Sequence, residues 1–195
     1  NHKKFGEDLA ILAGDALFLD PFGMIAASAL PDAVKVSLIL ELSDASGSRG
    51  MVAGQVLDME GEHKQLTLAE LQTIHANKTG RLLAYPFIAA GLILELQADI
   101  GQLLEKIGKK LGLAFQVRDD ILDLVADFEA LGKTPQKDLV AEKSTYPALL
   151  GLEASKALLT SELDACEDLL DQITAACDFD PRAIKKLIEG LRIDG

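Results

Sequence analysis

The chain has 195 residues, 49% of them hydrophobic, and a net charge of −12, which together indicate one domain large enough to bury a core. The acidic balance, without a basic tract, argues against nucleic acid or an anionic membrane as a partner. The longest uncharged apolar run, Leu82 to Leu94, is too short to span a bilayer, so we expect no stable membrane insertion. Cys166 and Cys177 lie eleven residues apart in one helical pattern. That is about 16 Å along the axis, beyond disulfide reach, and favours a reducing, cytoplasmic setting.

Long segments rich in Leu and Ala have helical periodicity, and we find no convincing strand between them. Helices are predicted from Glu7 to Ala29, Asp32 to Leu57, Thr67 to Leu94 and Asp99 to Asp127, and further helices begin at Ser144 and Asp180. Thr67 and Glu70 have the spacing of a capping box, and Pro86 should kink the third helix. Residues 128–144 are predicted to form a loop that carries several lysines. Because short turns join long helices, the pattern predicts an all-α, antiparallel helical bundle.

The segment from Phe115 to Asp127 has an unusual distribution of charge. On a helix, four aspartates fall within one arc of roughly 100°, with Gln116 in the middle. These are Asp119, Asp120, Asp123 and Asp127. Nearly all other positions are apolar, so we expect a mostly buried helix whose carboxylates line an interior cleft. Carboxylates at this spacing repel one another, and a hard divalent ion such as Mg²⁺ suits such oxygen ligands. In so acidic a chain, a solvated charged face is the ordinary alternative.

Lys78 lies within an apolar stripe of the third predicted helix and therefore needs a partner. With the following turn centred near Gln97, Lys78 and Gln116 are each nineteen residues from it and should lie at the same height. Thr79 adds a hydroxyl group. The predicted loop above them carries Lys133, Lys137 and Lys143. Carboxylates, divalent cations and lysines in one cavity form a site for a polyanion such as diphosphate. A structural ion pair, or a lysine that extends to solvent, is the alternative for Lys78.

Seven short motifs follow one another along the chain. They are His2-x-x-Phe5-Gly6-Glu7, Leu12-Ala13-Gly14-Asp15, Gly54-Gln55-x-x-Asp58, Lys78-Thr79-Gly80, Phe115-Gln116-x-x-Asp119-Asp120-x-x-Asp123, Gly132-Lys133 and Lys143-Ser144-Thr145-Tyr146-Pro147. In this order they resemble the motifs of the trans-prenyl (polyprenyl) diphosphate synthases, and the likeness covers essentially the whole chain. The motif that begins at Phe115 resembles the second aspartate-rich motif of that family. Within the family, the likeness is strongest to bacterial synthases that make farnesyl diphosphate, followed by those that make geranylgeranyl diphosphate.

The resemblance implies an isoprenoid synthase bundle around a deep central cavity, usually in a homodimer. It also implies a Mg²⁺-assisted reaction in which dimethylallyl or geranyl diphosphate ionises and isopentenyl diphosphate attacks the carbocation, which gives farnesyl diphosphate. By resemblance, Mg²⁺ is held by Asp119, Asp120 and Asp123. The residues that match binding positions for the allylic diphosphate are Lys78, Thr79, Gln116, Lys133 and Lys143. Lys78 and Asp119 are the expected catalytic residues, and Asp127 is left as a structural acid.

The first aspartate-rich motif of the family and its neighbouring arginines precede the segment that matches Asn1–Glu7, and they are absent from this sequence. We therefore expect residues 1–195 to be the C-terminal part of a single all-α prenyl diphosphate synthase domain. The expectation is that this chain alone is catalytically inactive and that the full-length protein is active.

Two other functions stay open beside prenyl transfer. A class I terpene cyclase uses aspartate–Mg²⁺ chemistry on a similar bundle, but Lys78-Thr79 and the Lys133 loop fit the transferase pattern better. A non-catalytic helical subunit of a prenyl synthase would have less reason to retain Asp119, Asp123 and Lys78 together. His75 is expected to be a core or boundary histidine with satisfied hydrogen bonds.

Overall fold

The computed structural model describes residues 1–131 and 144–193, apart from the side chains of residues 127–131. Within these ranges every regular element is helical, so the predicted all-α fold is confirmed. The helices are α1 (His2–Phe5), α2 (Glu7–Ala27), α3 (Asp32–Ser46), α4 (Met51–Gly61), α5 (Leu68–His75), α6 (Arg81–Ile93), α7 (Ala98–Leu131), α8 (Tyr146–Leu150), α9 (Leu152–Ala176) and α10 (Arg182–Leu191). A π-helical turn, Ala76–Gly80, joins α5 to α6 without a break.

Glycines break two of the predicted helices. The predicted helix from Asp32 to Leu57 is wrong, because the chain leaves the helical conformation between Gly47 and Gly50. A Cβ atom at Gly50 would lie 2.2 Å from the carbonyl oxygen of Ala45, so this tight turn requires glycine. The helix predicted from Ser144 similarly divides at Gly151, whose φ of +85° favours glycine. Turn geometry therefore adds two boundaries that apolar periodicity does not reveal.

The start of the third predicted helix has the expected cap. Thr67 Oγ1 accepts a hydrogen bond from the Glu70 backbone N–H at 3.3 Å, and the Glu70 carboxylate accepts one from the Thr67 N–H at 2.8 Å. The predicted capping box is thus confirmed. The unexpected feature of this helix is the π turn, which carries Lys78 and Thr79. Such turns are rare in proteins, and those that occur often lie at functional sites.

The core lies between α7 and the helices on either side of it. Ile107, Val117 and Ile121 of α7 are fully buried, and they belong to one apolar cluster with Leu163 and Leu170 of α9. Burying each such side chain stabilises the fold by about 1.5–3 kcal/mol. This packing fixes the rotation of α7 and thereby the direction of its aspartates.

Part of α7 is more exposed than the sequence predicted. Phe115, Leu122 and Val125 have relative exposures of 41%, 38% and 39%, so the expectation of a mostly buried helix is wrong for this strip. The physical reason is that α7 packs mainly against α6 and α9, and the described residues leave this strip only partly covered.

Helix α2 is even more exposed, since it contributes no buried residue. Leu17, Leu19 and Met24 have relative exposures of 76%, 70% and 73%. By length and composition alone, α2 is long and apolar enough to cross a membrane. This segment was not identified from the sequence, because only runs without a charged residue were considered there. A single helix of this kind is weak evidence for insertion, because segments that do not span a membrane can pass the same test.

Candidate functional site

A cavity of about 450 Å³ lies where the C-terminal end of α4, the α5–π segment and the second half of α7 meet. Its volume is within the range of small-molecule sites. Five carboxylates and one ammonium group line it. These belong to Asp58, Glu62, Asp119, Asp120, Asp123 and Lys78. Gln116 also lines the cavity, so Lys78, Gln116 and the predicted metal-binding aspartates come together as the sequence predicted.

The partner of Lys78 is Asp58, at the end of α4. Lys78 Nζ donates a hydrogen bond to Asp58 Oδ2 at 2.5 Å. Both side chains are about one-third exposed, so the pair adds little to stability, of order 0–1 kcal/mol, but it orients the ammonium group. The sequence analysis quoted Asp58 in a motif without assigning it a role. Its pairing with Lys78 depends on how α4 packs, which helical periodicity does not specify.

Lys78 and Gln116 were predicted to lie at the same height on either side of the α6–α7 turn, and Thr79, the residue after Lys78, contacts Gln116. Thr79 Oγ1 donates a hydrogen bond to Gln116 Oε1 at 3.3 Å. Gln116 Nε2 in turn donates to Asp120 Oδ1 at 3.0 Å. The Thr79 hydroxyl, the Gln116 amide and the Asp120 carboxylate thus form a series of hydrogen bonds from the π turn to α7.

Asp120 differs from its two neighbouring aspartates. It is 8% exposed, and its second oxygen, Oδ2, accepts a hydrogen bond from the Tyr146 backbone N–H at 3.0 Å. Burial raises the pKa of Asp120, while the hydrogen bonds from Tyr146 and Gln116 oppose that rise. Both carboxylate oxygens are therefore already engaged by protein donors.

Asp119 and Asp123 are exposed and lie one turn apart on α7. Neither forms an ion pair or hydrogen bond with another residue of the described ranges. Within those ranges, no three His, Cys, Asp or Glu side chains are grouped closely enough to hold a metal by themselves. This arrangement fits Mg²⁺, which is commonly bound through one or two carboxylates together with water and substrate phosphates.

His75 corrects one expectation of the sequence analysis. Its Nδ1 atom is buried without a hydrogen-bond partner among the described residues, so the prediction of a fully satisfied histidine is wrong. The pKa of His75 is lowered to about 4, chiefly by burial and to a smaller extent by Lys78, whereas Asp58 and Asp119 oppose the shift. The imidazole is thus neutral at pH 7, and its ring centroid lies 5.5 Å from that of Tyr146.

Tyr146 and Ser144 join the segment after the predicted loop to the site. Tyr146 is fully buried, and its hydroxyl has no hydrogen-bond partner in the described part of the chain. Ser144 Oγ accepts a hydrogen bond from the Leu66 backbone N–H at 3.1 Å. The predicted loop residues Lys133, Lys137 and Lys143, and the side chain of Asp127, lie outside the described residues.

Comparisons with known proteins agree on one family. The family model described as "Polyprenyl synthetase" matches residues 1–177. The farnesyl diphosphate synthase of Micrococcus luteus is 49% identical over 189 residues, which are 97% of this chain and 65% of that protein. The farnesyl diphosphate synthase of Geobacillus stearothermophilus is 46% identical over 170 residues, which are 86% of this chain and 57% of that protein.

Solved structures show the same similarity. The geranyltransferase of Helicobacter pylori, in a structure complexed with magnesium and isoprenyl diphosphate, matches with a TM-score of 0.78 and 31% sequence identity. The match covers 97% of this chain and 61% of that one. The chain therefore spans less than two thirds of the length of the relatives it matches.

Proposed function

The chain belongs to the polyprenyl synthetase family, and we propose that residues 1–195 are the C-terminal part of a single all-α prenyltransferase domain. The proposed reaction joins dimethylallyl or geranyl diphosphate to isopentenyl diphosphate and gives farnesyl diphosphate. The observation that carries this proposal is the meeting of Lys78, Gln116 and an acidic arc in one cavity, with Thr79 bonded to Gln116. The names of the two curated relatives support the farnesyl product.

Lys78 and Thr79 are proposed to bind the allylic diphosphate. The Lys78 ammonium group is held at the cavity by Asp58, and a positive charge fixed there would stabilise negative charge as it develops on the leaving diphosphate. The hydroxyl of Thr79 and the amide of Gln116 supply neutral polar groups beside it. Lys133 and Lys143 are proposed to add further cationic contacts, by resemblance alone.

Mg²⁺ is the proposed metal, and Asp119 and Asp123 are the residues that would hold it. When bound, the ion would neutralise charge on the diphosphate oxygens. Asp120 was also predicted to be a ligand. Since its two oxygens already accept hydrogen bonds, we propose that it mainly holds Gln116 and the Tyr146 backbone in place.

A homodimer in the cytoplasm is the proposed state of the protein. The exposed apolar side chains of α2 suit a protein partner better than a lipid bilayer, because Asp15 and Asp20 lie in the middle of the helix. Both cysteines are free, which fits a reducing compartment. A mass from light scattering that equals two chains would support the dimer, and a monomer across the micromolar range would contradict it.

The decisive test is prenyl transfer by the product of the natural gene. Labelled isopentenyl diphosphate, geranyl diphosphate and Mg²⁺ should give elongated diphosphates, and mass spectrometry separates a farnesyl from a geranylgeranyl product. Cyclised hydrocarbons would favour the cyclase, and Mg²⁺-dependent binding without turnover would favour the non-catalytic subunit. The 195-residue chain alone should bind Mg²⁺ with inorganic diphosphate yet show no condensation; clear turnover would contradict the expectation of inactivity.

A further inference from the structure

The π turn that carries Lys78 and Thr79 is in very close contact with two glycines from other helices. A Cβ atom at Gly54 of α4 would lie 2.1 Å from the Lys78 backbone nitrogen. A Cβ atom at Gly112 of α7 would lie 2.8 Å from the Cα atom of Gly80, the last residue of the turn. Ordinary van der Waals contact begins at 3.4 Å, so any larger residue must move a backbone at either position. Both glycines are buried.

Each glycine lies one helical turn before the residue that bonds to a side chain of the π turn. Asp58 follows Gly54 by four residues, and its carboxylate holds the Lys78 ammonium group. Gln116 follows Gly112 by four residues, and its amide oxygen accepts the hydrogen bond from Thr79. Residues four apart share one face of a helix. The approach that each glycine permits is therefore the approach that brings its partner residue within hydrogen-bonding distance.

Close packing by itself would also place glycines between helices, and α7 offers an internal comparison. Gly108 lies one turn before Gly112, and a Cβ atom there would lie 2.7 Å from the Cα atom of Ala84 on α6. Gly108 thus allows an equally close helix contact, but its contact is with α6 and not with the turn that carries Lys78 and Thr79. A role limited to packing predicts equal effects at Gly108 and Gly112.

We propose that Gly54 and Gly112 are positioning residues, which set α4 and α7 against the π turn so that Asp58 and Gln116 orient Lys78 and Thr79 toward the diphosphate. The ligand in this statement rests on the proposed function, whereas the orientation of the two side chains does not. A Gly54→Ala substitution must separate backbones by about 1 Å, and displacements of this size at a site can reduce function by up to about a hundredfold. Gly112→Ala requires a smaller movement and should have a smaller effect.

Binding of inorganic diphosphate with Mg²⁺, measured by calorimetry on the natural gene product, tests the proposal. We expect Kd to rise about tenfold or more for Gly54→Ala and several-fold for Gly112→Ala. For the matched control, Gly108→Ala, stability should fall but Kd should stay within about twofold. In a Lys78→Met background, Gly54→Ala should have almost no further effect on Kd, because the group that it positions is gone. An unchanged Kd for Gly54→Ala, or an equal effect with and without Lys78, would overturn the proposal.

A second readout needs no ligand and separates this inference from the proposed function. After reductive methylation with ¹³C-formaldehyde, the Lys78 signal is identified by its loss in Lys78→Arg. It should shift in Gly54→Ala in the same direction as in Asp58→Asn, and should stay in place in Gly108→Ala. A signal that does not move in Gly54→Ala refutes the positioning role even if diphosphate binds. Wild-type protein that binds no diphosphate, while this signal does move, refutes only the proposed function.

If Gly54→Ala fails to fold, Gly112→Ala decides the question through Thr79. Its effect on Kd should disappear in a Thr79→Val background, where the hydroxyl that bonds to Gln116 is missing. An effect of Gly112→Ala that persists unchanged without this hydroxyl would show that the glycine serves packing alone.

Discussion

Asp120 and Asp119 are adjacent in sequence, yet replacing each of them by asparagine should affect a different property of the protein. Asp120 is buried, and its two oxygens accept hydrogen bonds from Gln116 Nε2 and the Tyr146 backbone N–H, each at 3.0 Å. Asparagine retains one oxygen and turns an NH₂ group toward the other donor. One buried N–H group therefore loses its acceptor. Asp119 is exposed and bonds to no other residue in the described ranges, so its replacement removes no such contact.

The expected magnitude follows from the burial. A buried donor without an acceptor costs about 1–3 kcal/mol. Burial raises the pKa of Asp120, which means that the charged form is itself penalised, and a neutral amide avoids that penalty. We therefore expect Asp120→Asn to lower the free energy of unfolding by about 1–2 kcal/mol. Asp119→Asn should change it by no more than about 0.5 kcal/mol, as is usual at exposed positions.

Two measurements separate the roles of these residues. Urea unfolding in EDTA at pH 7 gives the stability without metal, and calorimetry gives the Mg²⁺-dependent binding of diphosphate. Asp120→Asn should mainly lower the metal-free stability, and Asp119→Asn should mainly weaken the Mg²⁺-dependent binding of diphosphate. The reasoning is refuted if Asp120→Asn keeps its metal-free stability and loses Mg²⁺-dependent binding, because Asp120 would then be a metal ligand.

Three further predictions concern single side chains. Lys78→Met should weaken Mg²⁺–diphosphate binding by about tenfold or more, while Lys109→Met, an exposed change on α7, should not; equal affinities for the two variants would exclude Lys78 from the site. Because burial lowers the pKa of His75 to about 4, the unfolded chain binds the proton first as pH falls below 6.5. The free energy of unfolding should thus decrease as the pH falls from 6.5 to 4, by at most about 1.4 kcal/mol per pH unit from this group. His75→Gln should make the free energy of unfolding, measured with urea in EDTA, depend less steeply on pH. Burial raises the pKa of Cys166 to about 12, so iodoacetamide at pH 8 should alkylate Cys177 in the native chain much faster than Cys166; equal rates would show that the thiol is accessible.

Local signals predicted much of the fold because they depend on nearby residues. The capping box at Thr67 needs only the spacing to Glu70, and it is present. Counting residues on both sides of one turn, at a constant rise per residue, predicted that Lys78 and Gln116 lie at the same height, and Gln116 bonds to Thr79, the next residue. Such features are set within one helix or one hairpin, so sequence alone predicts them.

Other features depend on contacts between distant segments. A helical wheel gives the direction of Asp120 around α7 but not the residue that covers it, so its bond to the Tyr146 backbone could not be predicted. The exposed strip that includes Leu122 was misjudged for the same reason, since apolar character does not show where a neighbouring element lies. The π turn also lies in a segment whose apolar periodicity is that of an ordinary helix.

The charge of the cavity leads to a final prediction about the order of binding. In the described ranges its lining carries five carboxylates and one ammonium group, and the neutral His75 adds no positive charge at pH 7. A diphosphate anion would be repelled by this set unless cations accompany it. Mg²⁺ and diphosphate should therefore bind with positive coupling, and each must raise the affinity for the other by the same factor. Calorimetric titrations of each ligand with and without the other measure that factor. A Mg²⁺ affinity that is independent of diphosphate would show that the carboxylates do not share a site with the anion.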